Sequence, residues 1–204
     1  MENIAFLPIA PEVVLLIGAV VVLMSAVALE QGRREWGVIG GIALVVAFLL
    51  SIAQWMRLDY LDSQGEFSFT ARGVDLIYQP MIMMDRFSAF AGGLVFLVAF
   101  LALLGNWKLI AKLGKRGAEY VALVLLATAG LHMMAISSNL ILLFMGLETA
   151  SIALYVIAGF VRAERNSDES ALKYFLLGSF ASAIFLYGIA LVYAGTGSIT
   201  IYGS

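Results

Sequence analysis

Cysteine is absent from the 204 residues, and histidine occurs once, at His132. Without thiolates the chain can hold neither an iron–sulfur cluster nor a disulfide. A single imidazole excludes a bis-histidine haem bound by this chain alone. No residue stands out as a metal or cofactor ligand, and a redox centre inside the chain is not expected. Charge is scarce too. Asp, Glu, Lys and Arg make up 13% of the residues, against about a quarter in soluble domains. A formal net charge of −2 offers no basic surface to a nucleic acid. The opening stretch, MENIAFLPIAPEVV, lacks the basic segment of a cleavable signal, and its first charges are Glu2 and Glu12. The leading apolar run therefore reads as a retained span. No separate soluble domain, low-complexity tract or internal repeat is visible.

What is abundant is apolar sequence: 62% of the residues are hydrophobic. That balance belongs to a membrane protein. Six apolar runs stand out, at Pro11–Leu29, Trp36–Met56, Phe87–Leu104, Ala118–Ile136, Ser138–Phe160 and Ala171–Ala194. Each approaches the ~20 residues a helix needs to cross ~30 Å of hydrocarbon. The runs are continuous rather than alternating, so they predict helices and not barrel strands. The whole chain, residues 1–204, thus reads as one all-α domain, a polytopic transmembrane bundle of six spans.

Boundary residues agree. Pro11 suits a first helical turn, with Glu12 beside it at the positive end of the helix dipole. Asn166 and Glu169 form a variant capping box ahead of the sixth span, and Gly195 and Gly197 end it. Ser137, Ser138 and Asn139 leave the fourth and fifth spans almost no loop, which predicts a tight antiparallel hairpin. Between Arg57 and Met84 lies the one long loop, with a β-hairpin expected across Glu66–Tyr78. Gly37 with Gly41, and Gly178 with Ser182, are small-residue pairs of the kind that let helices approach closely. Ala194-Gly195-Thr196-Gly197-Ser198 is not a phosphate loop, because it follows a span and has no Walker lysine.

Basic residues are distributed unevenly. Arg33, Arg34, Lys108, Lys112, Lys115, Arg116, Arg162 and Arg165 flank one set of span ends; only Arg57, Arg72 and Arg86 flank the other. The positive-inside rule then places the first set in the cytoplasm and both termini outside.

Three residues could carry chemistry. Glu148 is the only charge in Ser138–Phe160, SNLILLFMGLETASIALYVIAGF. An ionised acid at that depth costs about 2.5–3.5 kcal/mol on insertion scales, and such acids mark ion or proton paths. Helical spacing puts Glu148, Ser151 and Tyr155 on one stripe. Burial favours the neutral acid and a nearby cation the carboxylate, a balance suited to holding and releasing a proton. The plainer reading is an acid that hydrogen-bonds two helices together. Lys173, near the start of the sixth span, could join a relay or simply snorkel to the interface. Glu148 is about 18 Å deep from that side, so direct pairing with Lys173 is not expected. His132 could relay a proton near the far end of the fourth span, or be a packed or hydrated polar residue. Asp85 with Arg86, and Glu119, read as helix-end caps and anchors.

Two stretches carry a resemblance. LILLFMGLETASIALYVIAGF, from Leu140, and ESALKYFLLGSFASAIFLYGIALVYAGTGS, from Glu169, are similar to the antiporter-like membrane subunits of bacterial NADH–quinone oxidoreductase (complex I). The KYFLLG…AS…YG…YAGTGS run is closest to the subunit N group. With the upstream EYVALVLLATAGLHMMAISSNL, the resemblance is strong over about the C-terminal 85 residues and rests on hydropathy before them.

The resemblance implies two inverted five-helix repeats among about fourteen helices, so this chain is expected to hold an N-terminal portion of that fold. It implies protons moved when quinone reduction elsewhere shifts charges along a membrane arm. It implies no cofactor in this chain, with NADH, FMN, iron–sulfur clusters and quinone in the parent complex. Other membrane-arm subunits and the lipid bilayer are the expected partners, and the bacterial plasma membrane the expected location. Glu148 matches the family's key acid, which pairs with a lysine on a seventh helix, and Lys173 matches a sixth-helix motif lysine. The alternatives are a Mrp-type cation/proton antiporter subunit, or a membrane anchor in which Glu148 is only glue.

Overall fold

A backbone in hydrocarbon has no water to satisfy its amides, so each apolar run closes its hydrogen bonds within itself as a helix. The computed structural model describes residues 9–28, 35–63, 81–161 and 165–201. These form α1 (Ala10–Ala28), α2 (Glu35–Ser63), α3 (Arg86–Gly105), α4 (Trp107–Leu113), α5 (Arg116–Ala135), α6 (Leu140–Ala158) and α7 (Arg165–Thr196). All but α4 are long and apolar enough to span a bilayer. The six expected spans are therefore present, and the chain is an all-α multi-pass membrane protein.

Several boundaries differ from expectation. α2 continues past Met56 to Ser63, and α7 begins at Arg165 rather than near Ala171, because polar residues extend a helix beyond the apolar stretch that reveals it. Asn166 therefore lies inside α7, not ahead of it. The short helix α4 has no counterpart among the expected elements. Its seven residues bury Ile110 and expose Lys108 and Lys112, so it lies at the end of the bundle as an amphipathic turn and a half. The β-hairpin expected across Glu66–Tyr78 lies outside the described residues.

Helix ends are closed by side chains and by tight turns. Asp85 caps α3 in a capping box with Ser88, as expected of that acid, and Arg86 reaches Asp59 at 3.4 Å. Asn139 caps α6 by accepting from the Ile141 amide at 2.8 Å. Gly197, at φ 69°, takes the left-handed turn that ends α7. Around the Ser137–Asn139 hinge, three short extended segments clasp one another. Met83 N–H donates to Ile136 O, Ser138 N–H to Met81 O, Leu140 N–H to Ile199 O and Ile201 N–H to Ser138 O, all at 2.8–3.0 Å. This "hinge end" ties the approach to α3, the α5–α6 turn and the tail of α7 together. The opposite "basic end" carries Lys108, Lys112, Lys115 and Arg116. There the Arg116 guanidinium donates to Phe160 O at 2.9 Å and lies over the Phe160 ring, closing the hairpin from the other side.

The hub is α5, which packs against α1, α2, α3, α4 and α6. Leu15, Val22, Leu44, Ala47, Phe96, Leu103, Val121 and Leu125 fill the core around it. Its closest neighbour is α6. A Cβ on Gly130 would sit 2.6 Å from the Ala150 nitrogen and 2.7 Å from the Gly146 oxygen, so the two backbones touch. Outward faces carry Ile17, Met24, Leu94, Leu101, Leu177 and Phe180. Such a continuous apolar exterior suits lipid.

Candidate functional site: a half-buried carboxyl on the seam between α6 and α7

Gly146 and Ala150 face α5, so Glu148, two residues from each, is turned about 200° away from that helix. It shares its stripe with Phe144 and Tyr155, and both of these meet α7. The Phe144 and Phe185 rings are 6.1 Å apart; Tyr155 is 4.8 Å from Tyr174 and 5.8 Å from Phe175, edge-on to both. Glu148 thus sits between two aromatic contacts on the α6–α7 seam. Its Oε1 is buried and has no hydrogen-bond partner among the described residues. A buried polar atom left unpaired costs about 1–3 kcal/mol. Oε1 therefore makes no hydrogen bond across this seam among the described residues.

Facing it, α7 is stripped of bulk. A Cβ on Gly178 would overlap the Tyr155 hydroxyl and ring. Ser182 lies one turn further along the same half-buried face, which continues to Phe185 and Ile189. The expected small-residue pair Gly178–Ser182 is used to bring α7 against the Glu148 stripe. Gly37 is likewise a packing position, with Trp107 against it.

Lys173 is not brought to Glu148. The paired rings set an antiparallel register in which Glu148 is level with Ala181 and Ser182. Lys173 is about eight residues away, or ~12 Å along the axis, and on the opposite side of α7. Its Nζ is 2.5 Å from Glu169 Oε1, one turn earlier, and both side chains are largely exposed. The separation expected from helix depth is present.

His132 is placed differently from a hydrated interfacial residue. It is fully buried in the last turn of α5, with Nδ1 2.6 Å from Glu12 Oε1 in the first turn of α1. Its ring lies 4.8 Å from that of Phe96, and Gly92 of α3 lies against it. Glu12 is itself only 6% exposed. Sequence reasoning takes Glu12 for a helix-start acid and misses this pair. The available signal was topological: α1 begins at the end of the bundle where α5 finishes. The described residues hold no cluster of three or more residues able to ligate a metal.

Known proteins share this architecture. The family described as NADH:quinone oxidoreductase/Mrp antiporter, TM, matches residues 137–203, the stretch holding Glu148 and Lys173. NADH-quinone oxidoreductase subunit N 1 of Solibacter usitatus is 35% identical over 94% of this chain. Subunit N of Parvibaculum lavamentivorans is 36% identical over 95%. The chain belongs to the subunit N family. A solved respiratory complex I from Thermus thermophilus contains a chain of the same fold, with a TM-score of 0.71 and 26% identity, covering 95% of this chain and 38% of that one. This chain spans 36% and 37% of the length of the two curated relatives.

Proposed function

We propose that this chain is part of a membrane-arm subunit of a respiratory NADH–quinone oxidoreductase, where it couples quinone reduction to proton translocation. Glu148 holds the transferred proton, and Lys173 passes protons toward it from the basic end. The observation that carries this reading is the half-buried Glu148 within a span, with one buried, unpaired carboxyl oxygen and an aromatic-bounded, small-residue seam before it. Two of its properties serve transport. The unpaired oxygen can accept or donate without first breaking a hydrogen bond. The seam between Tyr155 and Phe144 shields the charge from lipid. Across the ~12 Å between Glu148 and Lys173, water must carry the proton.

NADH, FMN, iron–sulfur clusters and quinone belong, on this reading, to other subunits of the complex, and those subunits are the partners. The basic end faces the cytoplasm of a bacterium, following the excess of lysine and arginine there. Electrons never reach this chain. Its part is to change the affinity of Glu148 for a proton when charges move in a neighbouring subunit.

Affinity purification of the tagged chain from its native membranes tests the assignment. Flavin, iron–sulfur signals and NADH:quinone reductase activity should co-purify. A chain that purifies without flavin, in membranes showing sodium-dependent proton exchange, would instead fit an antiporter subunit. That second reading is kept because the matching family description covers both kinds of protein.

A further inference from the structure

We propose that Glu12 and His132 form a second proton-binding site, which loads and releases one proton at the hinge end through His132 Nε2. The site takes its purpose from the translocation reading above, whereas its chemistry stands on geometry alone.

The two groups form a close pair, 2.6 Å apart, in a place where neither meets solvent. Helix ends bias that pair toward charge separation. Glu12 sits in the first turn of α1, where the dipole favours an anion, and His132 in the last turn of α5, where it favours a cation. With Nδ1–H donated to Glu12 Oε1, the remaining ring nitrogen decides the charge. Protonated at Nε2, the pair is Glu12 carboxylate with His132 imidazolium and is neutral overall. When the Nε2 proton leaves to a water, the pair keeps its hydrogen bond and carries one negative charge. No heavy atom has to move.

Both outward atoms, Glu12 Oε2 and His132 Nε2, are buried and lack a partner among the described residues. That nitrogen faces α3 where Gly92 has no side chain: a Cβ there would be 2.6 Å from Nε2 and 3.5 Å from Ser51 Oγ. The ring edge itself fills the space a side chain there would need, and the hydroxyl of Ser51, which donates to Ala89 O at 2.6 Å, lies beside the same point of α3.

The surroundings are polar on one side only. Among the described residues, Glu12, Ser51, Gln54, Ser88, Thr128, His132, Ser137, Ser138 and Asn139 are the buried polar or charged ones. All lie in the half of the bundle nearer the hinge. Buried water gathers where several such groups converge, so on this proposal the proton leaves His132 toward the hinge. Among the described residues, other charges are remote from the pair or screened from it. Arg57 and Asp59 of α2, and Asp85 and Arg86 of α3, lie at the rim, where Arg86 meets Asp59. In α5, Glu119 is at the opposite end. Glu148 of α6 is on the face turned away from α5.

The single histidine makes the test clean. With ¹⁵N-histidine label and solid-state NMR of the full chain in lipid bilayers, His132 should convert reversibly between imidazolium and Nδ1–H imidazole within pH 5–9. Glu12→Gln should lower the imidazolium share at least tenfold at the pH where the unaltered chain is half protonated. A ring locked in one state across that range, or a Glu12→Gln chain with an unchanged share, would overturn the proposal. The first measurement needs no variant, so poor folding of Glu12→Gln leaves it decisive. In the assembled complex, His132→Gln should shift the pH profile of proton release more than that of NADH oxidation. If Glu148→Gln stops translocation while His132→Gln leaves both profiles unchanged, this proposal fails and the function proposed for Glu148 stands.

Discussion

At the scale of single residues, the α6–α7 seam depends on what is missing as much as on what is present. Gly178 leaves the room that Tyr155 fills. Replacing a helical glycine by alanine ordinarily gains up to about 1 kcal/mol of helix propensity. Here the new methyl would overlap the ring, and overpacking costs about 1–3 kcal/mol. The clash should win, so Gly178→Ala is expected to destabilise the chain by roughly 1–2 kcal/mol, read from equilibrium unfolding in mixed micelles. A gain in stability would mean that Tyr155 has another place to go. Glu148 was legible in the sequence because no other charge interrupts its run, and no neighbour on the chain could hide it. The Glu12–His132 contact was not legible. Its partners are 120 positions apart, and each has an ordinary local explanation, one as a helix-start acid and one as an interfacial imidazole.

Among the elements, the α5–α6 hairpin is the most closely packed pair. Its turn was readable from Ser137, Ser138 and Asn139, since a serine–serine–asparagine run between two apolar stretches has only a cap to offer. Its closeness was not readable, because Gly130 and Gly146 look like any other glycines in a span until their backbones meet. Gly130→Ala drives a methyl into backbone atoms that cannot rotate aside. It should therefore cost more than Gly178→Ala, about 3 kcal/mol, in the same unfolding measurement. Asn139→Ala removes the α6 cap and should cost about 1 kcal/mol. If Gly130→Ala proved neutral, α5 and α6 could not be in contact along that face. The short helix α4 escapes sequence reading for a different reason: WKLIAKL is too brief for a periodic signal and follows an apolar span without a loop to mark it. The face that α7 turns to α6 is equally invisible in the sequence, and it adds a difference of side to the difference of depth that separates Lys173 from Glu148.

For the whole molecule, the organising fact is the division into two ends. Basic side chains gather at one, while buried polar groups and the clasp around the hinge gather at the other. Span number and helix type follow from bilayer thickness alone, which is why six of the seven described helices could be anticipated. The outer stripe of α7, formed by Lys173, Leu177, Phe180, Ile184 and Tyr187, follows helical spacing but gives no hint in sequence of being the most exposed face in the bundle. The division into ends is directly testable, because the chain has no cysteine to remove first. A cysteine placed at Lys112 should react with a membrane-impermeant maleimide only in inside-out vesicles. One placed at Met81, at the hinge end, should react only from the opposite side. The reverse pattern would invert the orientation proposed here. The proposed transport turns on the proton at Glu148. Its most direct measurement is the number of protons moved per NADH oxidised by the intact complex in sealed vesicles, with Glu148→Gln and Glu148→Asp compared against the unaltered chain. Glu148→Gln is expected to lower that ratio several-fold with the complex still assembled, and Glu148→Asp to restore much of it. An undiminished ratio with glutamine in place would contradict the account.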